Sequence, residues 1–295
     1  MIKLSRSGWI VGAGIAAALI AVVTCVGFAA ASQSMQTKTS VAVDARPDSP
    51  GPIPGARQPA PTFAATKILT LTTQYNGRDA CSPEGQWCVA LTEPDDEGLR
   101  RPVVLSPAKL KHVSAPAEDA SADESWTVWP RLIVLPDGDF LAGVETRMST
   151  SYSGGGGSAT QWRLFRVSST GEAAGTALIN LPIQGSLLIR ACFTKADVAD
   201  RAEACHDEYG FTGDVRFEPA TSGPPALVYT TQAWAFPRGA SREEDSTARG
   251  PLTPADLVRE RDKTCSFSRR FAFDDRAGIY QAERRLPDCS AYTVP

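Results

Sequence analysis

The chain has 295 residues, of which 42% are hydrophobic and 21% charged, and its formal net charge is −3. This length allows one large domain or two ordinary ones, and the apolar content is sufficient for a packed core. A slightly acidic chain without a stripe of Lys and Arg between aromatic residues lacks the electrostatic footprint of a nucleic-acid-binding protein. We therefore expect no nucleic acid among its partners.

Residues 1–31 are predicted to form an export segment. Lys3 and Arg6 precede an apolar run from Trp9 to Ala31 that contains no charged residue. As a helix, a run of this length would span the ~30 Å hydrocarbon core of a membrane. Positive residues before the run keep the N-terminus inside, so the remainder of the chain is expected on the outer side.

The sequence leaves the fate of this segment open. The segment either stays as a transmembrane helix in the inner membrane or is cleaved near Ala31. Cleavage is supported by Ala29 and Ala31, which have the small-x-small spacing that signal peptidase prefers. A lipoprotein signal ending at Cys25 is a third alternative, which the preceding Thr24 fits poorly. All three alternatives predict a periplasmic or otherwise extracytoplasmic protein.

Residues 32–66 are predicted to be a proline-rich linker. Prolines recur from Pro47 to Pro61 and alternate with glycine and small polar residues. Because proline lacks a backbone donor and fixes φ, this segment is expected to be extended rather than part of a sheet. It is either a stalk that lifts a domain from the membrane or a spacer of no fixed length. The folded domain then comprises residues 67–295.

The six cysteines of this predicted domain fall into three pairs of sequence neighbours. The pairs are Cys81 with Cys88, Cys192 with Cys205, and Cys265 with Cys289. Paired thiols persist as disulfides in oxidising compartments. Three disulfides are therefore predicted, in agreement with export from the cytoplasm.

The first part of the domain has the pattern of antiparallel strands. Residues 67–75 are rich in β-branched side chains and are followed by a turn-forming Asn-Gly pair. A turn at 82–85, with proline second and glycine fourth, brings Cys81 opposite Cys88 at a separation that suits a disulfide. A returning strand is expected from Trp87 to Leu91.

The middle of the domain continues this pattern. A tight turn at 136–139 joins predicted strands at 131–135 and 140–146. Residues 161–167 alternate polar and apolar side chains, which predicts a strand with one buried and one solvated face. Further strands are predicted at 214–217 and 226–231.

The last predicted hairpin carries the third disulfide. Its strands cover residues 265–273 and 279–286, with a turn at 274–278. Phe267, Phe271 and Phe273 share one face of the first strand. Counting back from the turn places Cys265 near Cys289.

Two short helices are predicted. Thr194 followed by Asp197 forms a capping-box pattern for a helix at 195–204. Thr253, with proline next and an aspartate three residues on, predicts a second helix at 254–262.

The fold class follows from these elements. The hairpin turns at 82–87 and 136–140 resemble those in the blades of β-propellers, although no fixed period repeats along the chain. We predict a mainly β domain with an irregular antiparallel arrangement, either a partial propeller or a sandwich, with two short helices. The transmembrane or signal helix and the proline-rich linker precede it.

The densest run of ligand-capable residues is Cys205-His206-Asp207-Glu208. Thiolate, imidazole and carboxylate groups can bind zinc or copper. However, neighbours on an extended strand point to opposite faces, and Cys205 is better used in a disulfide. We predict an exposed acidic loop here, with no metal and no cofactor.

The patterns for nucleophilic catalysis are incomplete. Ser106 and Lys109 have Ser-x-x-Lys spacing but lack the accompanying Ser-Asp-Asn and Lys-Thr-Gly elements. A Ser–His–Asp triad would need His112 or His206, the only two histidines, and no Gly-x-Ser-x-Gly elbow is present. No catalytic residue is predicted.

Three further features have structural interpretations. The glycine run at 154–157 lacks the lysine of a phosphate-binding loop and is predicted to be a mobile connection between strands. The acidic stretches at 93–97, 118–124 and 243–245 lack calcium-ligand spacing and are predicted to be solvated turns. Most tryptophans are expected in the core, with a sugar-stacking platform as the alternative. The tryptophans concerned are Trp126, Trp129, Trp162 and Trp234.

Together these features predict a non-enzymatic binding or scaffold module of the cell envelope. Its expected partner is an envelope protein or a surface glycan, and its expected membrane attachment is the N-terminal helix. An exposed apolar or aromatic patch should then exist. The alternative is a periplasmic hydrolase for glycan or ester bonds with a dispersed active site, which requires two carboxyls in a cleft or a serine beside a histidine.

Overall fold

The computed structural model describes residues 65–74, 77–110, 123–172, 175–190, 192–244 and 248–295. These residues belong to one compact unit that spans Arg57–Pro295. The predicted export segment, nearly all of the predicted linker and His112 lie outside the described residues. In the described ranges, no helix is both long enough and apolar enough to cross a membrane.

The described part of the chain contains fourteen strands and three short helices, numbered here in chain order. The strands are β1 (Lys67–Thr70), β2 (Thr72–Thr73), β3 (Asp79–Cys81), β4 (Cys88–Leu91), β5 (Pro102–Leu105), β6 (Glu124–Val134), β7 (Phe140–Tyr152), β8 (Gly155–Val167), β9 (Ile179–Arg190), β10 (His206–Phe217), β11 (Leu227–Phe236), β12 (Glu260–Arg261), β13 (Ser268–Asp274) and β14 (Ile279–Ala282). The helices are α1 (Pro107–Leu110), α2 (Lys195–Asp200) and α3 (Ser290–Thr293). The prediction of a mainly β chain is confirmed.

The strands form two antiparallel sheets. The long sheet has ten strands in the order β1-β6-β7-β8-β9-β10-β11-β13-β14, with β12 also paired to β11. The small sheet has four strands in the order β2-β3-β4-β5. The propeller alternative is wrong, because the strands from β6 to β11 pair successively within one sheet instead of dividing into separate blades.

A first core fills the space between the small sheet and strands β6–β8, which is the arrangement of a sandwich. Phe140, Val144 and Phe165 contribute from the long sheet, and Val89 and Val104 from the small sheet. All five are nearly excluded from solvent. The small sheet therefore covers one side of β6–β8.

A second core lies on the other side of β6–β8 and continues along β9–β14. It includes Leu141, Trp162 and Leu164 from β7 and β8, and Phe211 and Tyr229 from β10 and β11. Successive residues of a strand point to opposite faces, so Leu141 and Leu164 enter this core while their neighbours enter the first. Residues 140–144 of β7 are thus buried on both sides, whereas the end of the strand near Tyr152 is exposed.

This double burial corrects the prediction for residues 161–167. Alternation predicted one solvated face, but Phe165 and Val167 contact the small-sheet core and are buried. Only Gln161, Arg163 and Arg166 in this stretch keep partial exposure. The covering sheet is contributed by residues far away in sequence, so local alternation could not indicate it.

All three predicted disulfides are present. The Cα–Cα separations are 4.0 Å for Cys81–Cys88, 4.9 Å for Cys192–Cys205 and 5.8 Å for Cys265–Cys289. Cys81 is directly opposite Cys88 in the β3–β4 register, as the turn at 82–85 predicted. Three disulfides are consistent with an extracytoplasmic location.

The helix predictions are only partly correct. Helix α2 begins with the predicted capping box, in which Thr194 accepts from the Asp197 backbone N–H, but it ends at Asp200. The predicted helix at 254–262 is wrong: Pro254–Asp256 forms a single 3-10 turn. The capping box still forms there, but the chain then extends to pair β12 with β11, a contact that local signals do not encode.

A candidate binding face on the long sheet

One side of strands β9, β10 and β11 is open to solvent. The side chains on this side are exposed at Gln184, Ser186, Thr212 and Gln232. The side chain of Phe211 points to the other side of β10 and is buried in the second core. Alternation along the strands therefore turns one side of these three strands toward the core and the other toward water. We call the surface centred on Gln184, Ser186, Thr212 and Gln232 the open face.

The register of the sheet aligns the open face into two rows that cross the strands. In the amide row, Thr160 of β8 is opposite Gln184, which is opposite Thr212, which is opposite Gln232. In the serine row, the successive partners are Ser158, Ser186, Gly210 and Trp234. Neighbouring strands lie about 4.8 Å apart, so each row extends for roughly 14 Å.

Four polar side chains of these rows are available to a ligand, whereas Ser158 already accepts a hydrogen bond from Arg147 at 3.5 Å and Thr160 is buried. The side chains of Gln184, Ser186, Thr212 and Gln232 make no hydrogen bond to another residue in the described part of the chain. Thr160 is only 8% exposed, and its hydroxyl also has no hydrogen-bond partner among described residues. An amide can donate and accept at once, and so can a hydroxyl, so the rows can engage both kinds of group.

Neither row contains an ionisable side chain, although 21% of the chain is charged. Charged groups lie at the borders of the open face. Arg147 of β7 is opposite Thr160 at one end of the amide row. Asp214 and Arg216 form an exposed ion pair further along β10, at 3.0 Å. The centre of the face is therefore polar but uncharged.

The serine row continues beyond Trp234 to its register partner Arg261 of β12, which is exposed. The Trp234 indole ring lies against Gly210, where a Cβ atom would overlap the ring. The Arg259 guanidinium stacks on the indole with its carbon 4.2 Å from the ring centroid, and it is also 3.5 Å from the Glu208 carboxylate. Trp234 is thus held between the sheet and Arg259, and its position is fixed before any ligand arrives.

Leu188 lies at the opposite border of the face, because it pairs with Gly156 on the side of Ser158, whereas Tyr152 pairs with Gly155 and so points to the other side of the sheet. Leu188 of β9 is 42% exposed and Tyr152 at the end of β7 is 49% exposed. The Tyr152 ring lies over Gly155, and its hydroxyl donates to the Leu188 carbonyl at 3.0 Å. These contacts hold one face of the phenol against the sheet, on the side opposite the open face.

The glycine run at 154–157 has a different role from the predicted one. Only Gly154 belongs to the turn, with φ of +86°, while Gly155, Gly156 and Gly157 pair with both β7 and β9 as part of β8. A Cβ on Gly155 would lie 2.5 Å from Tyr152 Cε2, and one on Gly157 would lie 2.6 Å from Leu187 Cδ2. The prediction of a mobile connection is wrong, because the glycines admit close packing within the sheet.

A depression of about 330 Å³ adjoins this border. His206 and Glu208 of β10 line it together with Phe236 and Leu257, and Glu208 is opposite Leu188 in the register. Its wall also includes Glu203, which follows α2 with φ of +69°. No serine lines the depression, so His206 does not form the serine–histidine pair that the hydrolase alternative requires there.

A buried ion pair supports this wall from below. Arg201 and Asp207 are 5% and 3% exposed, and the guanidinium bonds the carboxylate directly. Arg201 Nε also donates to the Ala204 carbonyl at 3.1 Å, so the pair holds the chain between α2 and β10. The Cys192–Cys205 disulfide closes the same excursion.

The candidate metal-binding run is divided by this arrangement. His206 and Glu208 line the depression, Asp207 is paired with Arg201, and Cys205 is in a disulfide. Among the described residues, no group of three or more His, Cys, Asp and Glu side chains has an arrangement that could hold a metal ion. The prediction of an exposed acidic loop is wrong: residues 206–208 begin strand β10, and Asp207 is buried because its side chain points inward to Arg201.

The other sequence candidates are dispersed. Ser106 and Lys109 are exposed at α1; the Lys109 backbone N–H donates to the Ser106 carbonyl at 2.9 Å, but their side chains are not hydrogen-bonded to each other. Trp129 and Trp162 are buried in the second core, whereas Trp126 packs against the first core and Trp234 borders the open face. The four tryptophans therefore do not form one sugar-stacking platform.

The acidic stretch at 93–97 is a turn, as predicted. Asp95 accepts hydrogen bonds from the Glu97 and Leu99 backbone N–H groups and pairs with Arg101. The hydrogen bond from Leu99 is the main cause that lowers the pKa of the Asp95 carboxyl. Asp123 and Glu124 of another stretch line a second depression with Arg147, of about 270 Å³.

Glu145 of β7 is the described carboxyl whose pKa is raised. Burial removes water from its carboxylate and thereby raises the pKa. In the register Glu145 is opposite Trp162, and two residues further along the strand Arg147 is opposite Thr160. Sequence analysis did not single out this residue, because its burial comes from the neighbouring strands.

No known family matches the chain, and no match is found among curated proteins or solved structures. The function is therefore inferred from the chemistry of these surfaces.

Proposed function

We propose that this protein is a non-enzymatic binding module of the cell envelope that holds its ligand on the open face. The supporting observation is the set of exposed side chains Gln184, Ser186, Thr212 and Gln232, which make no hydrogen bond to another described residue and lie next to exposed Leu188. Disulfides favour an extracytoplasmic setting, and the predicted N-terminal helix would supply the membrane attachment.

The rigidity of the face supports a binding role. The open side belongs to central strands of the long sheet, each paired on both sides over most of its length. The second core covers the opposite side of these strands. A ligand would therefore meet groups that are already in position, and less conformational entropy is lost on binding to such a surface.

The experiment is a sedimentation assay with an insoluble envelope preparation from the cells that make this protein. Thr212→Arg places a long charged side chain at the centre of the open face. Thr70→Arg is the matched control, since Thr70 is also an exposed strand threonine but belongs to β1 at the far edge of the long sheet. The wild-type protein and Thr70→Arg should sediment with the envelope material, and Thr212→Arg should stay in solution.

Equal sedimentation of the two variants would contradict the open face as the binding surface. Loss of sedimentation in both variants would indicate a general effect of added charge. Thermal unfolding of each variant should be measured in parallel, because the comparison requires that both remain folded.

The second candidate function is a periplasmic hydrolase that acts on glycan bonds. The observation in its favour is Glu145, since a carboxyl with a raised pKa is suited to act as a general acid. Glu145→Gln should then abolish release of reducing ends from envelope glycans, while Glu124→Gln on the exposed start of β6 serves as the control. If the wild-type protein releases none, this candidate is excluded.

A further inference from the structure

We propose that the Cys192–Cys205 disulfide is a site of reversible thiol–disulfide exchange, and that its reaction partner is a dithiol oxidoreductase outside the cytoplasm. The basis is the juxtaposition of three features: two cysteines that both keep contact with solvent, a depression that Cys205 lines, and a left-handed backbone segment that the disulfide encloses. The inference goes beyond the binding function and does not depend on the open face.

The first feature is the exposure of the two cysteines. Cys192 and Cys205 are both partly exposed. Each of the other two disulfides has one cysteine inside the protein, since Cys88 is 0% exposed and Cys265 is 3% exposed. Among the disulfides of the described residues, Cys192–Cys205 is therefore the one in which solvent reaches both partners.

Exposure of both partners matters because exchange has an entering and a leaving sulfur. An attacking thiolate needs access to one sulfur, and the other sulfur departs as a thiolate whose charge is stabilised by water. Attack on Cys81 or Cys289 would expel its buried partner into the protein interior, where the charge of a thiolate is not solvated. Such a thiolate is a poor leaving group. Exchange is therefore favoured at Cys192–Cys205.

The second feature is an approach to the disulfide. Cys205 lines the depression of about 330 Å³ together with Ala202, Glu203 and Ala204. The two alanine side chains beside Cys205 are small and leave space for an incoming thiol. A side chain that enters the depression therefore reaches Cys205 from outside, so Cys205 is the attacked cysteine and Cys192 is the leaving one.

The third feature is the backbone between α2 and Cys205. Ala202 and Glu203 have φ of +47° and +69°, in the left-handed region that residues with a Cβ rarely adopt. Both residues belong to the excursion that is closed by the disulfide and by the Arg201–Asp207 pair. When the disulfide opens, one of these two closures is gone and the left-handed segment can relax.

The sheet on either side does not depend on this disulfide. The two cysteines flank the end of the β9–β10 ladder, in which Arg190 is opposite His206. The Leu252 backbone N–H donates to the Asp200 carbonyl at 2.7 Å and holds the end of α2. Reduction therefore loosens residues 193–204 without separating the strands, and the two thiols remain close enough for the disulfide to form again.

The exchange balances in atoms and electrons. The first thiolate of the partner attacks Cys205 Sγ, the Cys192–Cys205 bond breaks, and Cys192 leaves as a thiolate that takes a proton from water. The second thiol of the partner loses its proton and attacks the mixed disulfide, which releases the Cys205 thiolate and forms the disulfide of the partner. Two electrons pass from the partner to this protein, and the reverse sequence restores the disulfide.

The test measures which disulfide opens first in the folded full chain. Reduced thioredoxin serves as the dithiol probe, free thiols are alkylated at successive times, and peptide mass spectrometry identifies the labelled cysteines. Cys192 and Cys205 should be labelled about tenfold faster than the other four disulfide cysteines, because their leaving thiolate is solvated. A rate advantage of less than about threefold over either other pair would overturn the proposal.

Two further measurements test the assigned roles. A thioredoxin variant that keeps only its attacking cysteine should remain attached to Cys205 as a mixed disulfide, and attachment to any other cysteine would overturn the assignment. The double variant Cys192→Ser with Cys205→Ser should not be trapped. Amide hydrogen exchange at residues 193–204 should increase on reduction while β9 and β10 keep their protection, and unchanged exchange at 193–204 would overturn the release of this segment.

Discussion

Strands β7 and β11 belong to the same sheet but have opposite relations to solvent. In β7, five consecutive residues from Phe140 to Val144 are buried, because the small sheet covers one side and the second core the other. In β11, buried Leu227, Tyr229 and other odd-numbered residues alternate with more exposed ones as far as Phe236. A strand buried on both sides reads as an apolar run, and a strand with one open side alternates.

This difference predicts which substitutions will affect stability and which will affect binding. Side chains of β6–β8 that point to either core have no access to a ligand, so substitutions there are expected to act through packing. Side chains on the open face of β9–β11 have few protein contacts, so substitutions there should leave stability almost unchanged and affect binding. The predictions below test this division, from the largest expected effect to the smallest.

The largest effect on stability is expected for Asp207, the buried carboxylate of β10. Asp207→Ala leaves Arg201 buried without its partner and should lower the free energy of unfolding by about 3–5 kcal/mol. Asp214→Ala removes an exposed partner of Arg216 on the open side of the same strand and should cost at most about 1 kcal/mol. Denaturant unfolding of both variants measures the difference, and similar values would contradict the division between the two sides.

A core truncation in β7 should have the next largest effect. Leu141 is fully buried in the second core, and Leu141→Ala should cost about 2–5 kcal/mol through lost burial and a residual cavity. Gln232→Ala on the open side of β11 should change stability by no more than about 0.5 kcal/mol. Denaturant unfolding of both variants tests this prediction. A large loss of stability in Gln232→Ala would show that the side chains of the open face make stabilising contacts within the protein.

The glycines of β8 provide a test of close packing near the turn between β7 and β8. Gly155→Ala puts a methyl group against Tyr152 and the Leu188 carbonyl and should destabilise by about 1–3 kcal/mol. A Cβ on Gly175 would have no atom within 4 Å, so Gly175→Ala is the matched control. If both variants unfold at the same temperature, Gly155 is not needed for packing.

The smallest effect is expected from Glu145 and depends on pH. Burial raises the pKa of this carboxyl in the folded protein above its ordinary value of 4.5, so the folded state favours the protonated form. The stability associated with that proton is present below pH 4.5 and is lost as the pH rises through the folded-state pKa. Glu145→Gln, which stays neutral, should therefore raise Tm at pH 7 and leave it unchanged at pH 4.

The control for this pH effect is Glu124→Gln at the exposed start of β6. Its Tm should follow that of the wild type at both pH values. A Glu145→Gln variant that is less stable than the wild type at pH 7 would show that the carboxylate makes a favourable contact in the folded state.

Features determined by a few neighbouring residues could be predicted from the sequence. The turn at 82–85 places Cys81 opposite Cys88, because proline and glycine restrict that turn to one geometry. The capping box at Thr194 begins α2 for the same local reason. The mainly β class follows from strand patterns of this kind, repeated along the chain.

Features that depend on distant strands could not be predicted. The capping box at Thr253 is present, yet the chain after the 3-10 turn joins β11 as a strand because a sheet edge is available there. Residues 161–167 alternate as predicted, yet both of their faces are covered over most of the stretch because the small sheet packs on one side. In both cases tertiary contacts outweigh the local preference.

The sequence alone therefore determined the disulfide pairs, several turns and the β class, each of which depends on residues close together in the chain. The open face was decided by the tertiary structure. Thr160, Gln184, Thr212 and Gln232 are separated by between 20 and 28 residues at each step, and only the register of four strands aligns them. Which side of those strands remains open depends on where the second core forms, and this is a property of the whole sheet.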